Sequence, residues 1–306
     1  MTGAEPGAGV ASARAEPQSL SVLSVMLRSA EYLASKGIEN ARLDAEHMLA
    51  HALGLGRLDM YLQHERPMEA AELDRFRPLL KRRAQREPLQ YILGRQGFRE
   101  LDVEVGPGVL IPRPETEQLV EVVLEWARGR DGLDVLDVGV GSGAIVLSLL
   151  TEGPFARGLG IDVSAKALEY ARRNRDASGL ESRLELREGR LFEPLGAGER
   201  FDVVVANPPY VEEKGRDELQ AEVADWEPEE ALFAGQDGLD VLRELVPAAA
   251  PALRSGGLLA LEVGDGQAER VVELVAGAGA YRETQVHKDL AGRDRIVTAV
   301  LATEAS

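Results

Sequence analysis

The sequence predicts an α/β fold, a doubly wound and mostly parallel sheet, preceded by a small all-helical domain. Three observations carry that expectation. Residues 20–93 carry helix-type apolar spacing and helix stop signals but no strand-type alternation. From Glu115 onward, short apolar strands alternate with helical stretches. A glycine-rich stretch, Asp137-Val138-Gly139-Val140-Gly141-Ser142-Gly143-Ala144, lies between one such strand and the next helix.

The elements follow in order. Residues 1–19 are rich in Ala, Gly, Pro and Glu and are expected to be a disordered tail, without the basic start and apolar centre of a signal peptide. Residues 20–93 are expected to form one helical domain. Ser19 or Ser21 caps a first helix running to Lys36, and Gly37 stops it. Asn40 caps a second helix ending near Gly54, and a short one covers Leu58–Gln63. Pro67 opens a fourth, Glu69 to Arg86, with Leu73, Phe76, Leu79 and Leu80 on its apolar face. Pro88 to Leu93 adds one more turn before Gly94.

Residues 94–112 are expected to be a hairpin linker. Leu101–Val105 alternates, Gly106-Pro107-Gly108 turns, and Val109–Ile111 returns. The α/β domain then spans 113–306, with a helix at 116–128, a strand at Val135–Val138, a strand ending at Ile161 and a helix at 164–178. Further strands are expected near 184–187, 201–206 and 258–263, and a last hairpin within 281–300.

Composition narrows the function. The 306 residues are 44% hydrophobic and 28% charged, enough for a substantial core. No run reaches the roughly 18 apolar residues of a membrane span. With no cysteine and four histidines in the chain, no metal site is expected; His47 and His51 share a helix face without a His-Glu-x-x-His pattern. The net charge is −17, and residues 1–90 are balanced, so the whole acidic excess falls in 91–306. Such a surface is a poor landing site for a polyanion, and no nucleic-acid partner is expected. Lys81, Arg82, Arg83 and Arg86 form the one basic cluster, read as a solvated helix end suited to the helix dipole.

The glycine loop turns tightly and opens a helix whose free N–H groups suit an anion. Asp162 follows at the end of the next strand, placed to accept hydrogen bonds from two ribose hydroxyls. The loop alone does not separate NAD from S-adenosylmethionine. Asp137, two residues before the first glycine, favours the methyl donor, whose cationic methionine end a carboxylate could help to hold. Asn207-Pro208-Pro209-Tyr210 favours it too. Two prolines after the strand Phe201–Ala206 cannot extend a ladder. They form a stiff lip presenting an amide and an aromatic ring at the ligand-binding end of a sheet. An ordinary Pro-rich turn is the plain alternative.

These residues, with Ile111-Pro112-Arg113-Pro114-Glu115-Thr116-Glu117, Glu227-Pro228 to Ala231-Leu232, Gly235 to Leu239, and Asp289-Leu290-Ala291-Gly292-Arg293-Asp294-Arg295, resemble the HemK/PrmC family of release factor glutamine methyltransferases. The resemblance covers residues 20–300. It implies a class I (Rossmann-like) S-adenosylmethionine-dependent methyltransferase domain behind a helical substrate-recognition domain. It also implies methyl transfer to the glutamine nitrogen of a Gly-Gly-Gln loop in peptide chain release factors, in the cytoplasm, by a monomer. Ile111–Glu117 favours release factors over a ribosomal-protein glutamine. An N6-adenine methyltransferase shares Asn207–Tyr210 and is the nearest alternative; a non-catalytic binding module is a second.

By the same resemblance, Asp137, Gly139, Val140, Gly141, Ser142, Gly143, Asp162, Leu191 and Asn207 bind the donor. Asn207, Pro208, Pro209 and Tyr210 hold the substrate amide, with the Asn207 Oδ1 and Pro208 carbonyl as acceptors for its two N–H bonds. From their position just before the helix that leads into the first strand, Arg113, Glu115 and Thr116 either frame the methionine end of the donor or the substrate entrance, or simply start that helix, with Pro114 at its first turn and acidic residues suiting its dipole. One departure is Gly189-Arg190-Leu191-Phe192, where the family has Gly-Asp-Leu-Phe. An arginine offers no acceptor to an adenine amino group, which leaves the base to backbone groups and to packing by Leu191.

Overall fold

The computed structural model describes residues 20–303; the expected tail at 1–19 lies outside them. The chain divides into two compact units, Met1–Arg86 and Glu87–Ser306.

In the first unit, α1 (Val22–Ser35) is capped by the Ser21 side chain, which accepts from the Ser24 N–H at 3.2 Å. α2 (Ala41–Leu53) ends at Gly54 in the left-handed conformation, φ 67°. α3 spans Arg57–Leu62. α4 (Ala70–Ala84) opens with a reciprocal capping box between Glu69 and Glu72. Phe76 is fully buried on α4, while Leu73, Leu79 and Leu80 are half-buried. The basic cluster departs from the solvated helix end that was expected, because Arg83 is buried and its Nε lies 2.7 Å from the buried Asp44 carboxylate. A buried guanidinium needs a partner, and α2 supplies it.

The second unit begins with α5 (Leu89–Leu93) and the antiparallel pair β1 (Arg95–Phe98) and β2 (Leu101–Glu104). This corrects the expected hairpin. Leu101–Glu104 is a strand, but its partner lies upstream, and Val109–Ile111 is not a strand. The tight turn puts Arg99 at φ 51°. Tertiary contacts hold it there: its N–H donates to Glu117 at 3.0 Å, and its guanidinium reaches Glu152 at 2.6 Å and Glu121 at 3.0 Å. No local turn signal announces that, because the stabilising groups are distant in sequence.

The remaining elements are α6 (Pro114–Ala127), β3 (Leu133–Val138), α7 (Ala144–Glu152), β4 (Phe155–Asp162), α8 (Ala165–Ala177), β5 (Leu184–Glu188), β6 (Phe201–Ala206), α9 (Ala221–Ala224), α10 (Asp240–Ala249), β7 (Leu253–Glu262), α11 (Ala268–Gly277), β8 (Tyr281–Lys288) and β9 (Asp294–Leu301). They build one sheet of order β5-β4-β3-β6-β7-β9-β8. The first five strands are parallel, and β9 and β8 close the edge antiparallel as the expected terminal hairpin.

Side-chain alternation divides the core. Val135, Val203, Val205 and Leu258 pack on one face with Leu119, Val123, Leu147 and Leu168. Leu136, Val204, Leu259 and Leu261 pack on the other with Leu242, Val246, Val271 and Val275. The chain runs outward from β3 through β4 to β5, then returns to β6 on the other side of β3. The C-terminal ends of β3 and β6 therefore flank a topological switch point, where such sheets bind ligands. No helix among the described residues is long and apolar enough to cross a membrane.

Candidate functional site

At that switch point lies a cavity of about 290 Å³. Its floor is the glycine loop. Gly139, Gly141 and Gly143 have φ of 80°, 55° and 87°, a left-handed run that only glycine adopts readily. Gly143 is the N-cap of α7, so the loop delivers the chain into the helix with its first N–H groups near the cavity. The buried Asn174 of α8 fixes this loop, donating to the Ser142 carbonyl at 2.9 Å and to the Glu104 carbonyl at 3.0 Å.

Asp162 forms one wall. Its Oδ2 accepts from the Gly141 N–H at 2.8 Å and its Oδ1 from the Ser164 N–H at 2.9 Å. Burial raises its proton affinity, and the Ser164 and Gly141 N–H groups oppose the rise. Each carboxylate oxygen keeps a further acceptor site for a ligand hydroxyl. Leu191 and Gly189 continue the wall, with Leu191 at φ 48°. A leucine held there stores strain, as cavity-lining residues often do. Arg190 lies at the same edge, with both terminal nitrogens on Glu244 of α10 at 2.6 and 2.7 Å. Its exposed guanidinium is committed to that pair.

Asn207, Pro208 and Pro209 form the opposite lip. Asn207 Nδ2 donates to Thr116 Oγ1 at 3.1 Å. Asn207 lines the cavity, and among the described residues no hydrogen bond to its Oδ1 is formed. The lip is braced from behind. Gln267 Nε2 donates to the Tyr210 carbonyl at 3.0 Å. Val211 exchanges backbone bonds with Leu232 and Ala234, and bridges to Phe233. Gly238, at φ 71°, approaches so closely that a Cβ there would stand 2.2 Å from the Tyr210 oxygen. Burial, and then the charge of Glu262, push the Tyr210 phenol up to about 12, so it stays a neutral hydroxyl.

Gly139, Val140, Gly141, Ser142, Asp162, Leu191, Asn207, Pro208 and Pro209 thus meet in one cavity wall. Four expected site residues stand outside it. Gly143 and Tyr210 lie just behind, as loop end and lip brace. Asp137 is 0% exposed, contrary to the expectation of a direct ligand contact. It sits under the loop, and its Oδ2 accepts from the Val146 N–H of α7 at 3.2 Å. Its Oδ1 has no partner, and burial raises the carboxyl to about 7. Arg113 is likewise not at the cavity; its guanidinium pairs with the buried Glu227, whose other oxygen accepts from the Ile111 N–H at 3.1 Å. That pair pins the Ile111–Glu117 segment to the 227–235 loop.

Sequence reasoning missed several wall residues: Val109, Leu110 and Pro112 from the segment after the hairpin, Pro228, Glu230 and Ala231, and Val241 and Leu245 of α10. Most are apolar or common residues without a spacing signal, although Pro112 falls inside Ile111–Glu117, and Pro228, Glu230 and Ala231 inside Glu227–Leu232. Thr116 was named for the entrance; the structure makes it the partner of Asn207.

Comparison with known proteins shows the family. Residues 25–94 match the family described as PrmC N-terminal domain, and residues 130–271 match a methyltransferase domain. A release factor glutamine methyltransferase of Geobacter sulfurreducens is 45% identical over 92% of this chain and 97% of its own length. The one from Moorella thermoacetica is 45% identical over 87% of this chain and 94% of its own. The one from Caulobacter vibrioides is 40% identical over 92% and 96%.

Proposed function

Because the chain belongs to the release factor glutamine methyltransferases, we propose that it methylates the side-chain nitrogen of the Gly-Gly-Gln glutamine in peptide chain release factors. S-adenosylmethionine is the donor. The observation that carries the reading is the Asn207 amide at the cavity wall, its Nδ2 held by Thr116, which leaves Oδ1 as the acceptor for a substrate amide.

The residues present fit the donor. Asp162 suits the ribose hydroxyls, the left-handed glycine loop and α7 N-terminus suit the methionine carboxylate, and Leu191, Val163 and Leu245 suit a flat base. When bound, the donor supplies an electrophilic methyl carbon on a sulfonium.

The protein's task is to present a poor nucleophile correctly. An amide nitrogen has its lone pair delocalised into the carbonyl. The Asn207 Oδ1 and Pro208 carbonyl accept the two N–H bonds of the substrate amide, leaving the nitrogen face toward the methyl group. Pro209 packs on the amide plane, and Tyr210 stiffens the lip. Orientation of this kind supplies up to about 7–11 kcal/mol in favourable cases. The same two acceptors put negative potential where positive charge develops. The methylated amide cation then loses a proton readily, and no dedicated base is assigned.

The acidic second half supports a protein substrate over a nucleic acid. A release factor substrate supports a cytoplasmic setting for this reaction. Mass spectrometry tests the reading after incubation of the enzyme and donor with release factor and, separately, with DNA. One added methyl on the Gly-Gly-Gln glutamine is expected; methylation of DNA alone overturns it.

A further inference from the structure

Gln267, the N-cap residue of α11, is 7% exposed and stands outside the cavity wall. Its backbone is anchored on both sides. The N–H donates to the Gly264 carbonyl at 3.1 Å, and the carbonyl accepts from the Val271 N–H at 3.0 Å. In the side chain, Oε1 accepts from the Gly264 N–H at 2.9 Å. Nε2 donates to the Tyr210 carbonyl at 3.0 Å, across 57 residues of sequence, and to the Asp237 carbonyl at 3.5 Å. Both polar atoms of this buried amide are therefore used, as burial demands.

The partners decide how the amide faces. A backbone N–H only donates and a carbonyl only accepts, so one orientation of Gln267 satisfies Gly264 and Tyr210 together. The fit is close: a Cβ on Gly264 would stand 2.7 Å from Gln267 Oε1, and a Cβ on Gly238 would stand 2.5 Å from Nε2.

The lip needs a hold of this kind. Pro208 and Pro209 have no N–H to donate, and the Pro208 carbonyl must stay open for the substrate amide. Two side-chain bonds reach the Asn207–Tyr210 span, one at each end: Asn207 to Thr116, and Gln267 to the Tyr210 carbonyl. The first holds a side chain. The second holds the backbone that carries the two prolines.

From this geometry we infer that Gln267 is a positioning residue for methyl transfer. By tying the Tyr210 carbonyl to the β7–α11 turn, it sets where the Asn207 and Pro208 acceptors stand. The inference rests on the lip receiving the substrate amide. Two prolines make the span stiff, so releasing its Tyr210 end shifts the acceptors near its other end. A small misplacement of reacting groups costs rate at the chemical step.

The experiment uses the full chain, S-adenosylmethionine and intact release factor, below the melting temperature of each variant. Wild-type methylation of the glutamine decides the functional reading before any variant is compared. Gln267→Met leaves the Tyr210 carbonyl and the Gly264 N–H unpaired. Its kcat falls about tenfold or more, the scale of a lost buried hydrogen bond. KM for release factor and donor affinity by calorimetry stay within about threefold, as for an interaction that serves the transition state. Gln267→Glu keeps the size and an acceptor for Gly264, but its carboxylate turns a second acceptor on the Tyr210 carbonyl. Burial favours the neutral acid, and once protonated it donates to Tyr210 as the amide does. Its kcat relative to wild type therefore rises as pH falls. Wild-type kcat in Gln267→Met overturns the proposal, as does a Gln267→Glu to wild-type ratio that does not rise as pH falls. Donor affinity dropping as far as kcat overturns it too, because the loosening is then general. Should Gln267→Met fail to fold, Gln267→Glu decides it alone.

Discussion

Asn207 Nδ2 donates to Thr116 Oγ1 at 3.1 Å across 91 residues of sequence. The bond joins the end of β6 to the first turn of α6, and with it two motifs that looked independent. It ties the Ile111–Glu117 segment to the cavity lip, because Thr116 of that segment holds the Asn207 amide.

Asn207→Ala removes that amide and leaves the glycine loop and Asp162 in place. Its kcat is expected to fall about 10²–10³-fold, the range for deleting one preorganised polar group at a reaction centre. Donor affinity by calorimetry stays within a few-fold. Near-normal turnover would remove Asn207 from the mechanism.

Asp162→Ala has the opposite signature. The side chain holds both the Gly141 and the Ser164 N–H groups and faces the cavity. Donor affinity is expected to drop by about tenfold or more, as for loss of a charge-assisted hydrogen bond. An unchanged dissociation constant would place the ribose elsewhere.

Gly238→Ala tests the brace behind the lip. A Cβ at φ 71° and 2.2 Å from the Tyr210 oxygen must push the lip or strain its own backbone. A stability loss of roughly 1–3 kcal/mol is expected in denaturant melts, with a disproportionate fall in kcat. Wild-type activity would mean the lip tolerates displacement.

Asp137 makes a prediction about pH. An unfolded aspartate ionises near pH 4, whereas the buried carboxyl is raised to about 7. Between those values the folded state holds a proton that the unfolded state has lost. Stability contributed by this group is therefore present below about pH 4 and lost as pH rises toward 7. Asp137→Asn keeps an acceptor for Val146 and removes the charge. It is expected to raise the melting temperature at pH 8 more than at pH 5, by roughly 1–3 kcal/mol in equivalent stability. Equal shifts at both pH values would contradict this.

Arg190→Ala asks whether the departure from the family's acid matters. The guanidinium is exposed and paired with Glu244. Neither the unfolding midpoint nor donor affinity is expected to change appreciably. A large loss of donor affinity would make Arg190 part of the base-binding wall.

Local pattern and chemistry were legible in the chain itself. Apolar periodicity, caps and glycine stops mark the helices of the first unit, because those signals act within a turn or two of the residues that carry them. The glycine loop, Asp162 and the Asn207–Tyr210 lip were legible for the same reason: left-handed backbone, strand ends and paired prolines are properties of a few adjacent residues. The sequence by itself thus determined the sheet class, the glycine loop with Asp162 after it, and the amide-presenting motif. What only the tertiary structure decided depends on partners far apart in the chain. Arg99 takes its tight turn because Glu117, Glu121 and Glu152 converge on it, so the hairpin pairs upstream. Asp137 is hidden beneath α7, and Arg113 is captured by Glu227. Such partners meet only after the sheet closes, as Thr116 does when its hydroxyl oxygen accepts from Asn207 Nδ2.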